Sequence, residues 1–277
     1  MLTALCFLVL AQAGQARPAA APKVDYLGWI ARAEQDPREV VPLLLAAGET
    51  LAALEGRERQ FFGDKLEPLL ARVYFSPERF PGDEALGVGL HVVASGDTGG
   101  KIAKQGGYGH GLLPLWNTRY DERRLGVGQK LKEVVLARGE LELVVDRALF
   151  RLSAWHTSVD GRRTPLLFVP VGLGAADSPT PTGITSVVER VQDPSWTDPE
   201  TRRTFAPGDP GNILGGWWIE LAAEPLGKSG IGLHGYTGAP TADWLAQPGS
   251  HGCVRMRQED CPRVFHLALE GTRVVIR

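Results

Sequence analysis

Two short stretches near the C-terminus constrain this chain more than anything else in it. They are Leu233-His234-Gly235-Tyr236 and Ser250-His251-Gly252-Cys253-Val254-Arg255-Met256, with fifteen residues between His234 and Ser250. Together they hold a thiol, two imidazoles, flexible glycines and a guanidinium. A free thiol titrates at about 8.5, so little of it is thiolate at neutral pH, and an adjacent imidazole raises that fraction. Imidazole titrates near ~6.5, close enough to take a proton from sulfur and return it to a leaving amine. Gly252 lets the backbone turn sharply before Cys253, freeing consecutive N–H groups to point at a developing oxyanion.

The same residues admit other arrangements. Cys253 and Cys261 can close a structural disulfide, although this leaves the flanking Ser-His-Gly unexplained. His234, His251 and Cys253 can ligate zinc, although no CxxC or HExxH pair accompanies them. His251 acts either in proton transfer or as an orienting ring. Arg255 either binds a substrate carboxylate or pairs with Glu259 or Asp260.

The spacing and residue types closely resemble the catalytic motif of the YkuD-type L,D-transpeptidases. That resemblance implies Cys253 as nucleophile and His234 as base, with the Gly235 carbonyl orienting the ring. The Gly252 and Cys253 amides, flanked by Ser250 and His251, would form the oxyanion hole, and Arg255 and Tyr236 would contact substrate. Gln258 stands where relatives often carry Asn. Such enzymes attack the carbonyl between the third and fourth residues of a peptidoglycan stem, expel D-alanine and form a thioester. An amine from a neighbouring stem then gives a 3→3 cross-link, and the active cysteine is acylated by carbapenems. No cofactor and no metal is implied.

The chain ahead of the motif reads in blocks. Leu2 to Leu10 is a short apolar run followed by small residues, which predicts a signal peptide over residues 1–16 containing Cys6, and export to the periplasm or cell envelope. Apolar residues at helical spacing predict a helical segment over 24–80, with Gly48 as a stop. His91-Val92-Val93, Gly96-Asp97-Thr98, Trp116-Asn117 and Gly128-Gln129-Lys130-Leu131 outline a strand–helix–helix–strand unit over 90–135. That unit resembles a LysM domain, which implies that Gly96, Asp97, Thr98 and Asn117 contact glycan. Its helix–helix link, Gln105 to Gly109, is richer in glycine than usual. Between 91 and 135, seven Lys or Arg stand against four Asp or Glu, a mild basic bias that fits an anionic wall polymer.

Residues 139–277 read as mostly β with one late helix opened by Asp260-Cys261-Pro262. Pro194 to Asn212 is a polar loop placed as a lid or cleft wall. Cys261 falls on the apolar face of the late helix, and His266 falls off it. The fold expected is therefore multidomain α+β: helical segment, βααβ LysM-like module, and mostly-β L,D-transpeptidase sandwich. Peptidoglycan is the expected partner. The net charge of −2 gives no basis for nucleic-acid binding, and no stretch approaches the roughly 20 apolar residues of a spanning helix. Alternatives to the cross-linking transferase are an L,D-carboxypeptidase, an enzyme attaching protein to the wall, and a non-catalytic glycan-binding protein.

Overall fold

The computed structural model describes residues 25–239 and 241–277. The expected signal peptide lies outside the described residues. Three helices come first: α1 (Tyr26–Gln35), α2 (Val40–Ala53) and α3 (Gly56–Tyr74). A βααβ unit follows, made of β1 (Val88–Val92), α4 (Gly99–Gly106), α5 (Leu112–Trp116) and β2 (Lys130–Val134). The remainder is β3 (Gly139–Asp146), β4 (Arg151–Ser158), β5 (Arg163–Pro170), β6 (Leu173–Gly174), β7 (Gly183–Gln192), β8 (Trp196–Thr197) and β9 (Thr204–Phe205). It continues with β10 (Trp217–Leu221), β11 (Gly232–Gly235), β12 (Pro248–Ser250), β13 (Val254–Met256), α6 (Cys261–Leu267) and β14 (Arg273–Ile276). Among the described residues no helix is long and apolar enough to cross a membrane.

Eight of these strands form one continuous sheet in the order β13-β11-β10-β7-β14-β3-β4-β5. Hydrogen bonding therefore does not divide the C-terminal region into the two sheets of the expected sandwich; the long β7 is shared by both halves. Leu143, Leu152, Leu167, Ile219, Leu233 and Val274 are fully buried along it, each contributing about 1.5–3 kcal/mol. The last strand, β14, sits inside the sheet, parallel to β3 and antiparallel to β7. At the far end β11 and β13 run parallel, with Leu233 opposite Val254 and His234 opposite Arg255. That register carries the two halves of the sequence motif to one place.

The edge strand β5 is covered by the helices, which prevents pairing with another chain. Glu67 of α3 accepts the Phe168 N–H at 2.8 Å, and Asp64 takes Arg151 through two bonds of 2.7 Å. Gly48 does not end α2. It lies inside the helix because the Arg163 carbonyl packs where its Cβ would be.

In the βααβ unit β1 and β2 pair antiparallel, Val88 opposite Val134. The unit does not stand apart as a tethered module. Trp116 Nε1 donates to the Tyr74 carbonyl at 2.6 Å, and the buried Lys132 ammonium donates to the carbonyls of Val73 and Ser76 at the end of α3. A cation there satisfies helix C-terminal carbonyls that have no partner of their own. On its other side the glycine-rich link packs on α6. Gly109 N–H donates to the His266 carbonyl at 2.7 Å, and a Cβ on Gly111 would lie 2.0 Å from His266 Nε2. The unusual glycines thus make room for a histidine ring.

His266 is consequently not the solvated imidazole that its place on the helix suggests. It is buried among Trp217, Phe265 and His110. Burial, reinforced by His110 and Arg190, pushes its pKa down to about 4. The unfolded ring protonates near 6.5, so between these values the unfolded chain binds the extra proton. Stability contributed by the neutral ring is therefore present above about 6.5 and is lost as pH falls towards 4. In thermal melts across that window, His266→Gln should lose less stability than the wild type. An equal loss in both proteins would contradict this assignment.

Asp260 likewise departs from expectation. Its side chain makes no cap; it is fully buried and accepts from Arg257 Nε at 2.7 Å.

Candidate active site

Cys253 and His234 line one cavity of about 650 Å³, together with His251, Ser250, Arg255, Trp218, Lys228 and Ser178. His234 is buried on β11, opposite Trp218 of β10 in the register, with the two rings 5.9 Å apart. Its Nδ1 is hydrogen-bonded to the Gly235 carbonyl. A carbonyl only accepts, so Nδ1 carries the proton and Nε2 presents a lone pair. Burial holds the ring's pKa down at about 4 against the opposing pull of the Gly235 carbonyl, and the nearby Arg255 lowers it further. His234 is a neutral base at neutral pH.

The Cys253 thiol is half-buried and donates to the Gly230 carbonyl at 3.4 Å. Burial raises its pKa, while the Gly232 backbone, Lys228 and Arg255 pull it down. The resting pair is therefore thiol and imidazole rather than thiolate and imidazolium. Attack by this sulfur would need a base to take its proton, and the His234 ring on the same cavity presents a free lone pair.

The turn before Cys253 is shaped by Ser250. Its buried hydroxyl donates to the Cys253 carbonyl at 2.6 Å and accepts the Gly252 N–H at 3.2 Å. The Gly252 amide is thus engaged inside the turn, where the sequence reading has it free for an oxyanion. Gly252 has φ +117°, and a Cβ there would lie 2.9 Å from Ile231 Cδ1. Glycine is required on both counts. The His251 ring points away to the rim, exposed and 3.3 Å from Glu200, while its carbonyl accepts from Ser178 Oγ and Lys228 Nζ.

Arg255 pairs with neither Glu259 nor Asp260; Arg257 holds both. Its guanidinium lies 3.9 Å over the Tyr236 ring, and its buried Nε has no partner. Tyr236 is the platform beneath Arg255, edge-on to Trp244. Gln258 braces this segment: with its amide assigned in the orientation that pairs both ends, the nitrogen donates to the Gly215 carbonyl at 2.7 Å and the oxygen accepts from Tyr236 N–H at 3.1 Å.

Cys253 and Cys261 are both free thiols. Cys261 is buried, and burial pushes its pKa up to about 12. Among the described residues no three His, Cys, Asp or Glu side chains come together as metal ligands do.

Gly96, Asp97, Thr98 and Asn117 lie in the βααβ unit, outside this cavity. Gly96 turns the chain at φ +85°. Asp97 accepts from the Ala94 N–H and bonds the His91 ring, both at 2.8 Å, and Thr98 caps α4 through the Lys101 N–H. The Asn117 amide donates to the Leu113 and Lys132 carbonyls and accepts the Lys132 N–H. These side-chain bonds staple α5 to β2. Pro194, Ser195, Trp196, Thr197 and Pro199 do line the cavity wall, where the 194–212 loop was placed. Sequence reasoning missed Lys228, Ser178 and Trp218 as wall residues. A lone lysine between glycine and serine carries no signal for such a role.

Residues 141–276 match the family model of the L,D-transpeptidase (YkuD) catalytic domain. The "Probable L,D-transpeptidase ErfK/SrfK" of Escherichia coli is 33% identical over 119 residues, covering 39% of this chain and 36% of that protein. YqjB of Bacillus subtilis, named for the same activity, is 29% identical over 106 residues, 38% of this chain and 56% of that protein. The chain thus spans between about a third and just over half the length of these relatives. A solved L,D-transpeptidase from Mycobacterium smegmatis superposes with a TM-score of 0.38 at 15% identity, covering 72% of this chain and 87% of that one.

Proposed function

We propose, from the premise that residues 141–276 are an L,D-transpeptidase catalytic domain, that the chain cross-links peptidoglycan stem peptides through a thioester on Cys253. The observation that carries this reading is one cavity lined by a thiol, a neutral imidazole with a free lone pair, and a guanidinium with an unpartnered Nε.

The steps follow from the side chains. Cys253 Sγ attacks the carbonyl joining the third and fourth stem residues, and its proton passes to His234 Nε2. The tetrahedral adduct collapses, the carbon–nitrogen bond breaks, and His234 returns the proton to the departing amino group of D-alanine. Arg255, steadied by Tyr236, receives a stem carboxylate; bidentate pairing of this kind fixes orientation as well as energy. An amine of a second stem then attacks the thioester, losing its proton to His234, and the thiol is regenerated. No cofactor enters.

The βααβ unit serves as the glycan-holding part in this reading, and its fixed attachment to α3 and α6 sets the strand at a constant distance from the cavity. An exported, envelope-facing location accompanies such a substrate. Product analysis tests the proposal. Disaccharide-tetrapeptide incubated with the protein should release D-alanine and yield 3→3 dimers when an amine-bearing stem is supplied. Release with tripeptide as the sole product would assign an L,D-carboxypeptidase instead. No release would overturn the proposal.

A further inference from the structure

We infer that Lys228 is a positioning residue of the active site, clamping the turn that carries Cys253 and setting a positive charge on the wall of the same cavity. The inference deepens the reading of Cys253 as nucleophile and rests on it.

Lys228 stands in the loop before β11, and its residue surface is exposed. An exposed lysine normally keeps its ammonium in water. Here Nζ donates to Ser178 Oγ at 2.9 Å and to the His251 carbonyl at 2.8 Å. Ser178 Oγ donates to the same carbonyl at 2.9 Å, so the three groups close a triangle. Ser178 belongs to the loop after β6, His251 to the turn before β13, and Lys228 to the loop before β11. Three separate segments are thus pinned at one carbonyl. That carbonyl belongs to the peptide whose N–H is Gly252, which in turn faces Ser250 Oγ. Fixing the oxygen end of a planar peptide fixes its N–H end as well. The clamp therefore determines where the Ser250-His251-Gly252-Cys253 turn holds the sulfur.

The ammonium has three N–H donors and spends two on this clamp. It also lies over Gly252, 3.1 Å from where a Cβ on that residue would be, and lines the cavity itself. Its charge acts on Cys253 in the sense that favours thiolate. With the Gly252 amide already engaged, this cation is a source of positive charge for the sulfur as it ionises, and for the oxyanion that follows. The other groups facing Cys253 are His234 of β11, neutral above about 4, and Arg255 of β13. Beyond the rim stand His251 and Glu200, both exposed.

Alkylation of Cys253 by iodoacetamide, followed by mass spectrometry across pH, tests this without relying on turnover. In Lys228→Met the alkylation profile should move upward by about one pH unit. The shift should shrink at high salt, since the group is exposed. Lys228→Arg, which keeps the charge and the donors, should restore the wild-type profile. Ser178→Ala should leave the charge in place and change the profile little, while slowing carbapenem acylation with Lys228→Met by roughly tenfold or more. Melting temperatures of all three variants should match the wild type within a few degrees. A Lys228→Met profile identical to wild type at low salt, with unaltered acylation, would overturn the inference. If the profile shifts as stated but no variant or wild type turns over stem peptide, Lys228 keeps this role and the transpeptidase reading fails.

Discussion

Cys253→Ala should release no D-alanine from tetrapeptide stems and take no carbapenem adduct, while Cys261→Ala retains both. The two thiols differ in access and surroundings. Cys253 faces the cavity; burial raises its pKa, and Lys228 and Arg255 oppose that rise. Cys261 is sealed in α6, donates to the Arg257 carbonyl at 3.2 Å, and lies beside the carboxylates of Asp260 and Glu259. Nucleophilicity requires thiolate; burial opposes it at both sites, and only at Cys253 do neighbouring cations work against that cost. The fold should tolerate the change at 253, since the Ser250 hydroxyl bonds the backbone of the turn rather than the sulfur. Circular dichroism and melting of Cys253→Ala should match the wild type. Residual release from that variant, under conditions where Cys261→Ala is inactive, would transfer the chemistry to Cys261.

His234→Ala should slow acylation of Cys253 by roughly two to four orders of magnitude, the usual contribution of a general base. The imidazole is neutral above about 4 and the thiol is protonated until well into the alkaline range, so proton transfer accompanies attack. The wild-type rate should therefore be nearly level from about pH 5 to 8, and then rise as thiolate forms. In His234→Ala that plateau should disappear, leaving a rate that climbs with hydroxide throughout. Burst kinetics with a carbapenem across pH would display both behaviours. A loss smaller than about tenfold, with the plateau intact, would mean that another group takes the proton.

The candidate site was legible because its chemistry is concentrated. Seven consecutive residues hold thiol, glycine, serine and guanidinium, and only His234 had to be returned by the β11–β13 pairing. The roles inside that group were less legible. Ser250 and the His251 carbonyl act through backbone geometry, which residue type does not report. Arg255 was open between a substrate and a surface pair; the capture of Glu259 and Asp260 by Arg257 removes the surface pair, and Arg255 stacks on Tyr236 instead.

Misreadings cluster where a distant segment decides burial. His266 and Asp260 are polar residues on a short helix, and local spacing assigns such residues to solvent or to a cap. The fold covers one with Gly109 and Gly111 and neutralises the other with Arg257. Gly48 reads as a helix stop because its local cost is clear, whereas the carbonyl of Arg163 that fills its missing side chain is contributed by β5. The glycine excess in the βααβ link was visible in the sequence, but its partner was not. Gly96 takes positive φ at the expected turn, whereas Gly128, read as part of the returning strand, turns the chain just before β2 begins at Lys130.

The most direct measurement is the intact mass of the protein during reaction with a tetrapeptide stem, followed by peptide mapping. A transient adduct equal to the stem acyl group less D-alanine should appear on the peptide containing Cys253. It should vanish on treatment with hydroxylamine, as a thioester does, and be absent in Cys253→Ala. Product formation with no covalent species at any time, or an acyl group mapped to Cys261, would contradict a thioester mechanism at Cys253.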